Sequence, residues 1–180
     1  MKKAIAFVAA ALMSVSAFAG DIWVGGSIGA WRNTTDKVTT VSLTPEIGYN
    51  LSDNFSIATS IGYKFVGRSG ADNHAFIFNP YARYTFAKVG IVGFFVDGGV
   101  DLSLGSTHYK HADNSKTSAV VGIGFKPGIS LNLNSHCGLV AHFGFLGYRY
   151  VNDAAEVAGE KGGGGFDLSN GMSFGFYYTF

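Results

Sequence analysis

Apolar and polar residues alternate along most of this chain with a period of two. Between Phe55 and Phe65, every second residue is apolar or aromatic, and the residues between them are small, polar or charged. The segment from Val121 to Leu133 repeats the pattern, with Gly, Ser, Lys and Asn on the opposite face. Since successive side chains of a strand point to opposite faces, the pattern predicts β-strands with one apolar face.

Eight segments have this pattern, and each is about ten residues or longer, enough for a tilted strand to cross hydrocarbon. They are residues 21–32, 38–50, 55–67, 74–87, 90–105, 117–133, 138–151 and 166–180. Their connections alternate between tight turns and longer polar loops. The tight ones lie near 51–54, 87–88 and 134–136, and the longer ones at 33–37, 68–74, 106–116 and 152–165. This organisation predicts an all-β fold, an eight-stranded antiparallel up-and-down transmembrane β-barrel.

Alternate segments end alike, which predicts a common interface at the tight-turn end. Residues 45–51, 80–86 and 127–133 share a pattern that begins with Pro, and residues 174–180 repeat it with Phe instead. The aromatic residues of these endings would form a lower girdle at the membrane interface. They are Tyr49, Tyr84, Phe86, Tyr178 and Phe180. Because Pro lacks a ladder donor, we expect Pro45, Pro80 and Pro127 to point outward at β-bulges.

The composition of the two faces predicts which one points outward. A soluble lipocalin-like carrier would have its apolar face inside and a charged outer face. Here the polar face consists mostly of Gly, Ser, Ala and Thr, with too few charges to solvate an outer wall. The small polar face is therefore expected to line the lumen and the aromatic face to meet lipid. The lipocalin-like ligand carrier remains as the alternative with the faces reversed.

Six charged residues fall on the predicted inner face, and they are three acids and three bases. They are Glu46, Lys64, Arg83, Asp97, Asp101 and Lys126. Buried charges must be paired and hydrogen-bonded, and an eight-stranded barrel is just wide enough for side chains to fill. The sequence therefore predicts a lumen plugged by a charge network. A narrow channel is the alternative that uses the same residues.

The first residues indicate export. Lys2 and Lys3 precede a short apolar run, and Ala17-Phe-Ala19 precedes Gly20, which predicts a signal peptide over residues 1–19 and one barrel domain over residues 20–180. Loss of the two lysines would leave 11 basic and 12 acidic residues. Nothing in this balance suggests nucleic-acid binding. Cys137 is the single cysteine, so no internal disulfide is expected.

The last strand has an apolar residue at every second position up to the end of the sequence. These residues are Met172, Phe174, Phe176, Tyr178 and Phe180. They resemble the outer-membrane insertion signal that is read by the barrel-assembly machinery. We therefore expect this machinery to be a partner during insertion.

Taken together, the signal peptide, the eight strands, the compact loops and the terminal Phe resemble the small outer-membrane barrels of the OmpA/OmpX-like porin family. The resemblance implies a monomer in the bacterial outer membrane, with lipid and lipopolysaccharide around it and both termini in the periplasm. It also implies a structural, adhesive or host-interacting role. A surface partner would contact the loops at 106–116 and 152–165.

The sequence predicts no enzyme activity, no cofactor and no metal. Some outer-membrane barrels modify lipid A, and a deacylase of that kind needs His and Ser two positions apart on a strand. None of the five histidines is followed by Ser at that spacing, although a Ser could meet a His across strands. His108, Tyr109, His111 and Asp113 could supply metal ligands, but we interpret them as a solvated loop.

Overall fold

The computed structural model is a closed barrel of eight antiparallel strands in sequence order. It describes residues 22–35, 37–109, 115–157, 160 and 162–180, and for residue 31 and residues 167–172 the backbone alone. The strands are β1 (Ile22–Asn33), β2 (Val38–Asn50), β3 (Phe55–Gly67), β4 (Ala71–Val89), β5 (Val92–Tyr109), β6 (Ser115–Asn132), β7 (Cys137–Val151) and β8 (Gly163–Thr179), with a short helix α1 (Asp153–Val157) before β8. The predicted fold is confirmed. No helix among the described residues is long and apolar enough to cross a membrane.

Tight turns at residues 51–54, 90–91 and 133–136 mark one end of the barrel, which we call the lower end. The upper end carries the other connections and helix α1. The predicted signal peptide, residues 1–19, lies outside the described residues.

The outer wall exposes large apolar and aromatic side chains at every level. Phe76, Ile123 and Phe125 are each more than half exposed. Strict alternation places the small and charged residues of the same strands inside. The apolar face therefore points outward and the small polar face lines the lumen, as predicted.

The inner wall of the lower half is filled by aromatic rings, each lying opposite a glycine on the neighbouring strand. The register pairs are Trp23 with Gly48, Tyr81 with Gly99, Phe95 with Gly128 and Tyr177 with Gly138. A Cβ at any of these four glycines would overlap the facing residue. The glycines thus give large rings room in a narrow lumen, and this packing makes Phe95 almost completely buried.

The predicted upper loops were too long. Strand β4 begins at Ala71, β5 continues to Tyr109 and β6 begins at Ser115. Most of the predicted loops 68–74 and 106–116 is therefore strand. These strand ends are polar, and that polarity was interpreted as loop. Their inward side chains instead bond one another, as in the contacts of Asn73 Nδ2 with Thr107 Oγ1 and Ser118 Oγ, at 2.9 and 2.8 Å.

The predicted loop 152–165 also contains regular structure. Helix α1 follows Asn152, and β8 begins at Gly163. The glycine run within this predicted loop therefore starts a strand, with Gly163 and Gly165 paired to Arg149 and Gly147.

The expectation of a bulge at each proline is wrong for Pro45 and Pro80, and beside Pro127 the extra residue lies on the facing strand β7. The β6–β7 register shifts between Phe125 and Gly128. At Pro45 and Pro80 the ladder to the next strand is interrupted without any shift. A missing N–H therefore costs these strands local pairing but does not insert a residue.

Candidate functional site: the lumen and its upper mouth

A central charge cluster of Arg83, Asp97 and His142 crosses the lumen. Arg83 Nε and Nη2 donate to the two carboxylate oxygens of Asp97, each at 2.7 Å. His142 Nε2 lies 2.7 Å from Asp97 Oδ2 and 3.4 Å from Arg83 Nη2. Arg83 and Asp97 are both buried, so this is the paired and hydrogen-bonded arrangement that a buried charge requires.

Aromatic rings surround the guanidinium group of this cluster. The Cζ atom of Arg83 lies 3.9 Å from the centre of the Phe95 ring and 5.6 Å from the centres of the Trp23 and Tyr81 rings. Cation–π attraction strengthens when the cation is desolvated. Rings and charges together form a barrier across the barrel.

A cavity lies on each side of this barrier. The lower cavity, about 540 Å³, is lined by Trp23, Arg83 and residues of the tight turns. The upper cavity, about 330 Å³, is lined by Asp97 and His142 at its base and by hydroxyl groups and further charges above them. The central charge cluster thus contributes residues to both cavities.

The charged groups of the upper cavity have partners. Lys126 Nζ lies 2.5 Å from Asp101 Oδ1, and Arg149 Nη2 lies 3.8 Å from Asp101 Oδ2. Glu46 Oε2 accepts a hydrogen bond of 2.8 Å from the Tyr81 hydroxyl. The cavity wall is therefore polar, with its charges paired.

We call residues 152–160 the mouth segment, because the described part of it packs into the upper end of the barrel. The carbonyl of Ala154 accepts a 3.1 Å hydrogen bond from Thr107 Oγ1, and both Ala154 and Ala155 are buried. Ala155 packs with Val120 and Val151. Lys64 Nζ, from the opposite wall, lies 2.5 Å from Glu160 Oε1.

Asn152 fixes the start of the mouth segment. Its Oδ1 accepts hydrogen bonds from the backbone N–H groups of Ala119 and Ala155, at 3.0 and 3.1 Å. Its Nδ2 donates to the carbonyl of Thr117 at 2.9 Å. One side chain therefore caps α1 and attaches the segment to β6.

All six charged residues that the sequence placed inside line the interior. Their pairing, however, draws in residues that were missed: Tyr81, His142, Arg149 and Glu160. On β7, Gly144 has a φ of 72°, and the stretch from Phe143 to Phe145 has one residue more than the facing stretch of β6, a β-bulge. The bulge allows His142 and Arg149, seven positions apart, to share the inner face, which strict alternation forbids. Glu160 follows a helix whose docking no period-two pattern could reveal.

A serine does meet a histidine across strands, since Ser173 is the register partner of His142 and both line the upper cavity. A Ser–His–Asp hydrolase uses its carboxylate to orient the histidine. Here the same Asp97 oxygen that contacts His142 also accepts a hydrogen bond from Arg83. The geometry favours an ion cluster over such a triad.

The other residues singled out in the sequence lie on the outer surface or the rim. Tyr49, Tyr84 and Phe86 are exposed near the lower end, and Phe174, Phe176 and Tyr178 are exposed along β8. Phe180 donates its backbone N–H to the carbonyl of Ile22. The side chain of Met172 lies outside the described residues.

The loop considered for metal binding is described only in part. His108 and Tyr109 belong to the end of β5, whereas His111 and Asp113 lie outside the described residues. Within the part of the chain that the structure describes, no three His, Cys, Asp or Glu side chains are grouped to hold a metal ion.

Several solved structures resemble this barrel. The N-terminal β-barrel domain of Pseudomonas aeruginosa OprF has a TM-score of 0.56 at 14% identity, covering 90% of this chain and 98% of that one. Neisserial surface protein A has a TM-score of 0.55 at 16% identity, covering 88% and 96%. No protein-family model matches the sequence, and a search of curated proteins gave no match. The likeness establishes the fold, and function must be argued from the residues.

Proposed function

We propose that this protein is an integral outer-membrane barrel with a structural role, whose upper rim is presented for adhesion or partner binding. The observation that carries the proposal is that the apolar face of the barrel points outward and the charged face inward, the reverse of a water-soluble barrel. Large apolar side chains such as Ile123 and Phe125 are exposed all around the wall, while Arg83 and Asp97 are buried inside. Exposed apolar area of this extent marks a surface made for an apolar partner, and a closed barrel is one of the two backbone arrangements that lipid tolerates.

The two ends indicate an orientation. In outer-membrane barrels the short turns face the periplasm and the longer connections face outward. We therefore assign the lower end and both strand termini to the periplasm, and the mouth segment to the cell surface. Lipid and lipopolysaccharide would surround the wall, with Tyr49, Tyr84 and Phe86 at the periplasmic interface.

A rigid rim supports the proposed surface role. Helix α1 is held at Asn152 and by burial of Ala154 and Ala155, so it presents the exposed side chains of Glu156 and Val157 in a fixed position. The connection between β5 and β6 rises from long, mutually bonded strand ends. Both features support our proposal that a surface partner contacts the segments 106–116 and 152–165.

A narrow channel is the second candidate, because two cavities approach each other inside one barrel. The central charge cluster and the Phe95 ring stand between them. Removing that barrier should convert a closed barrel into a conducting one. In planar bilayers we expect little conductance from the wild type and a clear increase from the double variant Arg83→Ala/Asp97→Ala. Conductance of similar size in both proteins would favour the channel.

The proposed orientation and role can be tested on whole cells. An epitope inserted after Ser69, at the upper end, should be stained by antibody on intact cells, and the same epitope after Asp53 only on broken cells. The reverse result would contradict the orientation. Replacing residues 110–114 by a Gly-Ser linker should then reduce attachment of cells to coated matrix or lipopolysaccharide if the rim binds either. Unchanged attachment to both would count against the adhesive role of this loop.

A further inference from the structure

The barrel wall is incompletely paired where its first and last strands meet. Strand β1 pairs with β8 from Trp23 to Gly26, opposite Thr179 to Phe176. Above Gly26, β1 continues to pair with β2 as far as Asn33, but within the described residues it has no register partner on β8. Gly26 has a φ of 147°, a backbone conformation that favours glycine, at the point where the pairing stops.

Strand β8 follows its other neighbour instead. It pairs with β7 again near its upper end, up to Gly163 opposite Arg149. The upper part of β8 thus belongs to the β7 side of the barrel. We call the unpaired stretch between β1 and β8 above Gly26 the seam gap.

Two apolar side chains beside the seam gap are strongly exposed. Continuing the β1–β8 register by two pairs would bring Ile28 opposite Phe174. Ile28 is instead 80% exposed and Phe174 68% exposed, against 37% for Phe78 and 64% for Ile123 on the fully paired wall. Loss of cross-strand neighbours accounts for the high exposure of Ile28, since such neighbours cover outward side chains in a sheet.

The upper cavity lies directly behind the seam gap. Ser27 of β1 and Ser173 of β8 line it from the two sides of the gap, with Ser42 and Thr44 next to Ser27. Ser27 Oγ lies 2.7 Å from Thr44 Oγ1. The entrance therefore offers hydroxyl groups, and deeper in the cavity Lys126 is ion-paired with Asp101 and Glu46 accepts a hydrogen bond from the Tyr81 hydroxyl. This chemistry suits a hydroxylated or zwitterionic group better than a free ion.

We propose that the seam gap is a lateral binding site for a single-chain amphiphile from the surrounding membrane. Its polar head group enters the upper cavity beside Ser27 and Ser173, and its hydrocarbon chain stays outside between Ile28 and Phe174. A cavity of about 330 Å³ is at the lower end of the size range of ligand pockets. Unpaired backbone groups are costly in lipid, and a polar head group supplies partners for those of β1. The inference rests on the proposed membrane location.

The open state of the seam gap can be tested by disulfide mapping in vesicles of phosphatidylcholine. In a Cys137→Ser background, Val24→Cys with Tyr178→Cys joins register partners and should cross-link on mild oxidation. Ile28→Cys with Phe174→Cys should cross-link at least ten-fold more slowly. Equal rates would show that the two strands pair along their length and would overturn the proposal.

Occupancy can be tested by native mass spectrometry of the detergent-solubilised barrel titrated with lysophosphatidylcholine. We expect the wild type to retain one adduct. Ser27→Phe, which fills the entrance, should lose at least three quarters of it. Ser130→Phe, which fills the lower cavity instead, should retain it. Equal adduct levels in the two variants would overturn the site. A dimer in place of the adduct would also do so, because a second copy would then cover the strand edge.

Gel mobility distinguishes failure of the proposed binding site from failure of the proposed membrane location. Each variant is also run on a gel without boiling, where a folded barrel migrates differently from the boiled chain. Wild type that shifts on boiling but holds no adduct contradicts the binding site alone. Wild type that shows no shift and needs no detergent contradicts the membrane barrel itself.

Discussion

Arg83 holds Asp97 by two parallel hydrogen bonds of 2.7 Å, directly across the β4–β5 ladder. Asp97 has a second basic register partner, Lys126 of β6, but the lysine bonds Asp101 instead, at 2.5 Å. The planar guanidinium matches both carboxylate oxygens, whereas an ammonium group is a single point charge. The forked guanidinium group of Arg83 and the rings around it therefore favour the Arg83–Asp97 pair over a Lys126–Asp97 pair.

Breaking this pair should strongly destabilise the barrel. Asp97→Asn leaves Arg83 buried without its counter-charge, and such a loss typically costs about 3–5 kcal/mol. Urea titration in lipid vesicles, followed by tryptophan fluorescence, measures the free energy of unfolding.

The matched control for Asp97→Asn is Glu160→Gln, which breaks the partly exposed pair with Lys64. We expect a loss below about 1 kcal/mol there, because water screens such pairs. Equal losses of unfolding free energy in the two variants would show that burial of the central charge cluster adds nothing to stability.

Glycines opposite rings should resist substitution. Gly128→Val places a side chain against the buried Phe95 ring, and overpacking of this kind costs about 1–3 kcal/mol. Gly70→Val is the control, since a Cβ at Gly70 meets open space. The thermal midpoint of the gel-mobility shift should fall for the first variant and stay within error for the second. A fall of the same size in both would refute the steric explanation.

A charge on the outer wall should cost stability according to its depth. Arginine at the midplane of a barrel costs about 2–4 kcal/mol, and near an interface about 0–1 kcal/mol. Ile123→Arg, in the middle of β6, and Leu133→Arg, just past its lower end, test both levels on exposed positions. Unfolding in vesicles should separate the two variants. If Ile123→Arg is tolerated as well as Leu133→Arg, the wall does not face hydrocarbon.

The mouth segment should loosen when its anchor is removed. Asn152→Ala loses three hydrogen bonds, including the cap of α1. Loss of a cap alone lowers stability by about 0.5–2 kcal/mol. Hydrogen exchange of residues 153–157 should become at least several-fold faster, while exchange in β5 stays slow. The exposed Glu156→Ala should leave both rates near the wild-type values. Unchanged exchange in Asn152→Ala would mean that burial of the two alanines suffices to hold the segment.

The sequence predicted the barrel well because period-two alternation directly distinguishes an apolar outer wall from a packed interior of small and charged side chains. It also identified Arg83 and Asp97 as inward charges. It could not choose their partners, since Asp97 has basic neighbours on both sides and geometry selects one. His142 and Arg149 were missed because a bulge at Gly144 changes the alternation on β7. The polar ends of β5 and β6 were interpreted as loop because their hydrogen bonds to neighbouring strands are not visible in a single sequence.

Gel mobility tests most directly whether the apolar wall faces lipid. The protein without residues 1–19, refolded in detergent, should migrate faster unboiled than boiled, because the folded barrel resists dodecyl sulfate. It should also precipitate when the detergent is removed without added lipid. A chain that remains soluble without detergent and has one mobility under both conditions would contradict the account. The upper cavity would then belong to a water-soluble protein.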